Sequence, residues 1–306
     1  MADQAHGPRV ALFVERADWH ARQLRLAFAR RGARAVTLSL AGCGFAPDGG
    51  LVLPGFEGGL PEAALVKSVA SGSFEQVTLR LGVLHALREA GVPVSNDARA
   101  IERCVDKSMT SFLLGRAGLA TPPTWTVASR DAAAALVARE AGPGRPLVLK
   151  PLFGSQGRGL ALVETAADLP PAEDVGGVYY LQRYVAAPGD GWRDWRVFVI
   201  GGRAVAAMIR HGTSWRTNAA QGARCEGVAA TGALAALAVA AAAATGADHA
   251  GVDLIADAAG RLQVLEVNSN PAWAALQRVN AVNIAQALAD HLLARLATAA
   301  RPLVGA

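Results

Sequence analysis

The sequence predicts an α/β protein assembled from α+β lobes. Three observations carry this: a β-α-β opening, a pair of helix patterns beginning near residue 97, and glycine-marked strand pairs after residue 146. Residues 8–14 read as a buried strand, 18–31 as a helix, and the stretch after Gly32 as a second strand. Leu51-Val-Leu-Pro resembles a further short strand, 74–90 a helix, and Gly91-Val-Pro-Val a strand after a glycine stop. Residues 1–97 therefore form an open lobe with a parallel sheet. Helices over 97–104 and 106–117, ended by Gly118 and Thr121-Pro-Pro, open a central lobe placed at 98–177. In that lobe, Pro146-Leu-Val-Leu-Lys150 and Leu160-Ala-Leu-Val-Glu164 are strands joined by the glycine-rich stretch 151–159. The C-terminal lobe, 178–306, has strands near 178–182, 195–200 and 203–209, the last two joined by Gly201-Gly202. An alanine-rich helix over 231–245 follows, then strands at 251–255 and 262–268 and a closing helix over 281–297.

Composition excludes several classes of function. With 306 residues, 52% of them hydrophobic, the chain is long enough for two or three compact lobes, although alanine inflates the apolar count. The net charge of +5 is mild, and the cluster Arg22, Arg25, Arg30, Arg31 and Arg34 has the spacing of a solvated helix face. Nothing selects nucleic acid, and a phosphorylated small molecule suits the balance at least as well. Cys43, Cys104 and Cys225 are odd in number and unpaired in spacing, which argues against a disulfide scaffold or structural zinc and for a reducing, cytoplasmic setting. The N-terminus has no basic stretch leading into an apolar one, so no signal peptide is expected. Residues 228–247 are uncharged but alanine-rich and interrupted by Gly232 and Gly246, and read as a buried helix of a soluble protein.

Three constellations carry chemistry. In Leu265-Glu266-Val267-Asn268, alternation places Glu266 and Asn268 on one face, away from Leu265 and Val267. A symmetric turn would set Asp253 opposite Val264 and diagonal to Glu266, within reach of one Mg or Mn ion. Solvent-facing acids are the plain alternative, but both acids interrupt apolar runs, where a buried carboxylate needs a partner. Next, Lys150 ends a strand just before Gly154-Ser155-Gln156-Gly157-Arg158-Gly159. That places an ammonium beside backbone able to approach phosphates closely, in a hairpin flap and not a Walker loop. Finally, Asp194 and Arg196 share a strand face, with Arg210, Arg216 and Asn218 following in a loop; they read either as charge stabilisers for a transferred phosphoryl group or as surface ion pairs. Trp192, Trp195, Trp215 and Trp273 are candidates for a cleft wall, with packing as the default. Nucleophile-elbow, HExxH and dinucleotide fingerprints are absent.

In order along the chain stand Val94-Ser-Asn-Asp-Ala-Arg-Ala-Ile-Glu-Arg-Cys-Val-Asp-Lys107, Leu147-Val-Leu-Lys150 with its loop, Asp194-Trp-Arg196 before Val199-Ile-Gly-Gly202, Arg216-Thr-Asn218, Gly251-Val-Asp253 and Glu266-Val-Asn268. This series resembles the ATP-grasp superfamily, and within it the RimK-like α-L-glutamate ligases, over about residues 90–295. The resemblance implies three lobes, with ATP clasped between the last two. It implies that Lys107 and Lys150 meet nucleotide phosphates, together with the loop residues Gly154, Ser155, Gln156, Gly157 and Gly159. It further implies that Gln182, Arg183 and Tyr184 form the hinge at adenine and that Asp194 lies at the ribose. Arg216, Thr217 and Asn218 would contact nucleotide, Arg216, Arg210 and Asn218 would act in catalysis, and Asp253, Glu266 and Asn268 would hold two Mg or Mn ions. The implied activity is ATP-dependent amide formation through an acyl phosphate, between a small-molecule carboxylate acceptor and an amino-acid amine. Other implied readings are a ligase for a peptide or protein C-terminus and a non-catalytic ATP sensor; assembly as a homo-oligomer stays open. Arg183 stands where the family carries an acid. Ser269-Asn-Pro-Ala-Trp is more like relatives that add glutamate to tetrahydromethanopterin-type cofactors than like ribosomal-protein modifiers.

Overall fold

Val10, Leu12, Ala63 and Leu65 are at most 1% exposed, as strands covered by helices on both faces must be. They belong to β1 (Arg9–Phe13) and β5 (Ala63–Val66) in a computed structural model that describes residues 7–154, 157–186, 191–217 and 222–299. The first lobe runs β1, α1 (Trp19–Ala29), β2 (Arg34–Leu38), β3 (Gly44–Phe45), β4 (Leu51–Val52), β5, α2 (Phe74–Glu89) and β6 (Val94–Ser95). Its main sheet is parallel in the order β2-β1-β5-β6. The expected strand at Leu51 does form, but it pairs with β3 in a separate antiparallel ribbon. Strand β5 carries no alternation because all four of its side chains are buried, so pattern alone does not announce it.

Asp97 and Asp106 cap α3 (Ala98–Val105) and α4 (Lys107–Arg116), accepting from backbone N–H groups two or three residues on. Both helices pack against elements of the C-terminal lobe. The central sheet comprises β7 (Thr124–Val127), β8 (Leu147–Lys150), β9 (Ala161–Val163) and β10 (Tyr179–Arg183), antiparallel in the order β7-β10-β8-β9. Helix α5 (Arg130–Glu140) covers one face through Ala133, Leu136 and Val137. Because β10 lies between β7 and β8, the central sheet reaches past residue 177, where the sequence places the boundary.

The last sheet, β13-β12-β11-β14-β15, is antiparallel throughout. It uses β11 (Trp192–Ile200), β12 (Arg203–Gly212), β13 (Arg224–Val228), β14 (His249–Ala256) and β15 (Leu262–Asn268). Helix α6 (Gly232–Thr245) buries Ala238, Ala241 and Ala242 against one face, with Val197, Val199, Val252 and Leu254. Among the described residues no helix is long and apolar enough to cross a membrane. On the opposite face, Phe198 and Ile200 share a core with α1, Trp273, the short helix α7 (Ala274–Arg278) and α8 (Ile284–Ala299). The closing helix thus joins the first lobe to the last.

Asn96 locks the same junction. It is fully buried; its amide donates to the carbonyls of His249 (2.7 Å) and Ser269 (2.6 Å), and its oxygen accepts from Asp248 (2.6 Å) and His249 (3.2 Å). All four of its hydrogen-bonding positions are filled, as burial demands.

Candidate active site

Strand alternation gives β11 two characters on one face. Phe198 and Ile200 enter the shared core, while further toward the strand start Asp194 lines a cleft open to solvent and Arg196 reaches Asp253 on the neighbouring strand. Cross-strand register then builds a charged patch: Asp194 lies opposite Arg210, Arg196 opposite Asp253, and Asp253 opposite Glu266. Arg210 donates through Nε and Nη2 to both oxygens of Asp194, each at 2.6 Å, and lies 3.1 Å from Asp253 Oδ1. Arg196 forks onto both oxygens of Asp253, and the Thr217 hydroxyl donates to Asp194 at 2.6 Å. Burial alone would raise the Asp253 carboxyl; the guanidinium groups of Arg196 and Arg210 outweigh it and hold Asp253 below its usual value. Burial pushes Asp194 up, against the pull of Arg210, but two guanidinium bonds at 2.6 Å call for its carboxylate form. Burial also opposes the Arg210 charge, and Asp253 and Asp194 more than offset it.

The expected register needs correction. A bulge at Asp253/Leu254 sets Asp253 directly opposite Glu266, with Leu254 facing Val264. The extra residue on β15 leaves Val264 and Val267 buried against α6 and turns Leu265 into the cleft beside Glu266, although simple alternation assigns Leu265 to the other face. The two carboxylates are therefore closer than a diagonal placement allows.

Asp253, Glu266 and Asn268 offer oxygen donors only, the chemistry a hard divalent cation takes. Glu266 accepts no hydrogen bond from a described residue. Asn268 donates its nitrogen to the Gly251 carbonyl (3.2 Å), leaving its oxygen as the acceptor. Asp253 is already held by Arg196, so a cation would share it with that arginine. The set fits such an ion, with Glu266 as its open ligand.

The cleft's other wall comes from the central lobe. Lys150 donates to Gln182 Oε1 (2.7 Å), and Gln182 in turn donates to the Thr124 hydroxyl (3.1 Å). Desolvation lowers the Lys150 pKa to about 8, against the attraction of Glu266. Lys107, in the first turn of α4, donates to the carbonyls of Leu152 (3.3 Å) and Gly154 (3.1 Å), and Arg216 donates to that of Leu160 (2.7 Å). The two cations thus hold the glycine flap at both ends. Gly157 and Gly159 have φ of +69° and +70°, and a Cβ on Gly159 would stand 2.7 Å from Pro151 Cγ. Gly159→Ala is expected to displace the flap through both effects. A several-fold rise in the dissociation constant for ADP, with an unchanged melting temperature of the remaining structure, is the result to look for by calorimetry.

At the hinge, Gln182 is occupied in holding Lys150. Arg183 is tied to the Glu140 carbonyl (2.7 Å) and carboxylate (3.2 Å) and stacks over Trp125, which accounts for a basic residue at that position. Tyr184 meets Trp192 Nε1 (3.3 Å) and the Trp215 ring (6.3 Å between centroids), so Trp192 and Trp215 line the cleft. Trp195 packs toward α6 and Trp273 lies in the shared core. Ser155, Gln156 and Asn218 lie outside the described residues. Arg210 reaches the cleft, with Nε and Nη2 engaged by the carboxylates of Asp194 and Asp253.

Residues 104–292 match the RimK-like ATP-grasp domain. The chain belongs to that family. Among curated relatives of this ATP-grasp chain, the tetrahydromethanopterin:alpha-L-glutamate ligase of Methanococcus maripaludis is 36% identical over 238 residues, 76% of this chain and 79% of that one. A probable alpha-L-glutamate ligase of Alkalilimnicola ehrlichii is 35% identical over 66% of this chain and 68% of its own length. The ATP-grasp ligase PsnB, solved with a minimal precursor, Mg and ADP, superposes with a TM-score of 0.70 at 21% identity, covering 94% of this chain and 98% of its own. The RimK domain ATP-grasp protein of Sphaerobacter thermophilus gives 0.67 at 24%, covering 93% and 99%. The fold is that of the ATP-grasp ligases, and this family member is an ATP-dependent ligase joining a carboxylate to an amine.

Proposed function

We propose that the chain adds L-glutamate, or a similar amino acid, to a carboxylate on a small pterin- or furan-type cofactor, using Mg-ATP. The observation that supports this reading best is one cleft lined by Lys107, Lys150 and Arg216 on the phosphate side and by Asp253 and Glu266 on the other. The similarity to a tetrahydromethanopterin:alpha-L-glutamate ligase supports the substrate class.

In the first step an acceptor carboxylate oxygen forms a bond to the γ-phosphorus as the bond to ADP breaks, giving an acyl phosphate. The amine lone pair then attacks the acyl carbon, the C–O bond breaks, phosphate leaves with the electron pair, and the amine loses a proton to form the amide. Asp253, Glu266 and Asn268 would hold a divalent cation, which when bound would neutralise phosphate charge. Lys107, Lys150 and Arg216 orient and neutralise the phosphates, and the flap excludes water that would hydrolyse the mixed anhydride. The Trp192, Tyr184 and Trp215 cluster offers aromatic surface to the base. No protein nucleophile is required.

The test is to incubate the protein with ATP, Mg and panels of amino acids and acids, measuring nucleotide products and product mass. ADP and phosphate with an amide of matching mass are expected; AMP and pyrophosphate would remove the acyl-phosphate route. A pH dependence follows from Lys150. Lys150 attracts phosphate only in its protonated form, so metal-free ADP affinity should weaken as pH rises through about 8, and Lys150→Met should abolish that dependence.

A further inference from the structure

In the first lobe, β1 connects to β2 on one side while β5 and β6 extend the sheet on the other, so the order reverses between β1 and β5. The crevice outside the carboxyl ends of such a pair is where open parallel sheets take ligands. Lys67 follows β5 at that point. It is 9% exposed, and its ammonium makes no hydrogen bond to a described residue; it lies 5.5 Å over the Trp273 ring. The carboxylate that influences it, Asp18, is engaged in capping α1 at Ala21 N (2.8 Å) and in bonding His20 Nδ1 (2.8 Å). His20 Nε2 accepts from the backbone N–H of Trp273 (3.2 Å), which fixes the ring as neutral. A cation is thus nine-tenths buried with no paired anion, an arrangement that stability alone disfavours.

The place is joined to the proposed metal strand. Two residues past Asn268, the amide of Asn270, oriented with its nitrogen toward the first lobe, donates to the carbonyl of Val66 (3.0 Å), the residue before Lys67. The flanking residues Glu15 to Asp18 are exposed, and Arg80 fixes the loop after β5 through the carbonyls of Ala70 (2.8 Å) and Ser71 (2.9 Å). Exposed residues thus flank Lys67 toward solvent, and the loop that follows it is held by these two bonds.

We propose that Lys67 is a specificity residue that pairs with a carboxylate of the substrate, at the junction of the first lobe with the end of β15; this rests on the ligase reading above. The shared chemistry is a carboxylate, carried by either the acceptor or the incoming amino acid. Calorimetric titration of wild type and Lys67→Met with glutarate, L-glutamate and uncharged glutaramide, each with Mg-ADP present, separates the two. In wild type the acids are expected to bind and glutaramide not. Binding of both acids assigns the acceptor, and binding of L-glutamate alone assigns the amino acid. In Lys67→Met acid binding should weaken roughly tenfold to hundredfold, Lys67→Arg should restore most of it, and ADP binding should be unchanged. The melting temperature of Lys67→Met should rise, because an unpaired buried charge is gone. Equal acid binding by wild type and Lys67→Met, no acid binding by wild type that binds ADP, or a lower melting temperature in Lys67→Met would overturn the proposal. Failure of wild type to bind ADP would instead remove the ligase reading, and this inference with it.

Discussion

Glu266→Gln should lower turnover roughly 10³-fold, equivalent to about 4 kcal/mol of transition-state stabilisation. It is the carboxylate of the cleft that no described residue holds by a hydrogen bond, so its charge is open to a cation and phosphate oxygens. For the same reason its removal should leave the fold intact, with the melting temperature at or slightly above that of wild type. Steady-state ADP release over a Mg titration is the measurement. A variant within threefold of wild-type turnover at saturating Mg would show that Glu266 lies outside the chemistry. Loss of melting temperature alongside activity would point to a structural role.

Arg210→Met should destabilise the protein by about 3–5 kcal/mol, the range for removing one partner of a buried ion pair. Asp194 loses both of its guanidinium bonds and Asp253 loses one contact, leaving two carboxylates on adjacent strands with Arg196 and the Thr217 hydroxyl to hold them. Adding Asp194→Leu to Arg210→Met should recover much of the loss, because the pair is then removed together. Urea unfolding of the two single variants and the double variant measures this coupling. Additive losses would mean that the pair does not act as a unit.

The elements that sequence patterns identify are those with a strong local cause. Glycine stops, proline boundaries and the Gly201-Gly202 hairpin mark α2, α4 and the β11/β12 pair to within a few residues. The elements without such a mark are β5, with four buried residues and no alternation, the edge strand β13, and β7 with the alanine-rich α5. For α5 a signal was present: Ser129 caps it at Ala132 N and Asp131 occupies its first turn. Lys67 has no signal of its own, since a lysine after an apolar run is ordinary until Trp273 and His20 are brought against it.

For the site, strand alternation was sufficient to put Glu266 and Asn268 on one face and Asp194 with Arg196 on another, because it is local; that Lys107, Lys150, Asp194, Arg210, Asp253 and Glu266 share one cleft was implied only by the family resemblance of their order along the chain. Three matters were decided only in three dimensions. The bulge opposite Asp253 set the two carboxylates face to face, and bulge position depends on how both strands pack against α6. Arg210 took Asp194 and Asp253 as partners, and Gln182 took Lys150, because burial obliges polar groups to find the nearest complement. Strand β10 joined the central sheet because its hydrogen bonds were completed there. The sequence determined which chemistry the cleft contains; tertiary packing determined the register and pairing in which that chemistry stands, since both depend on contacts between segments distant along the chain.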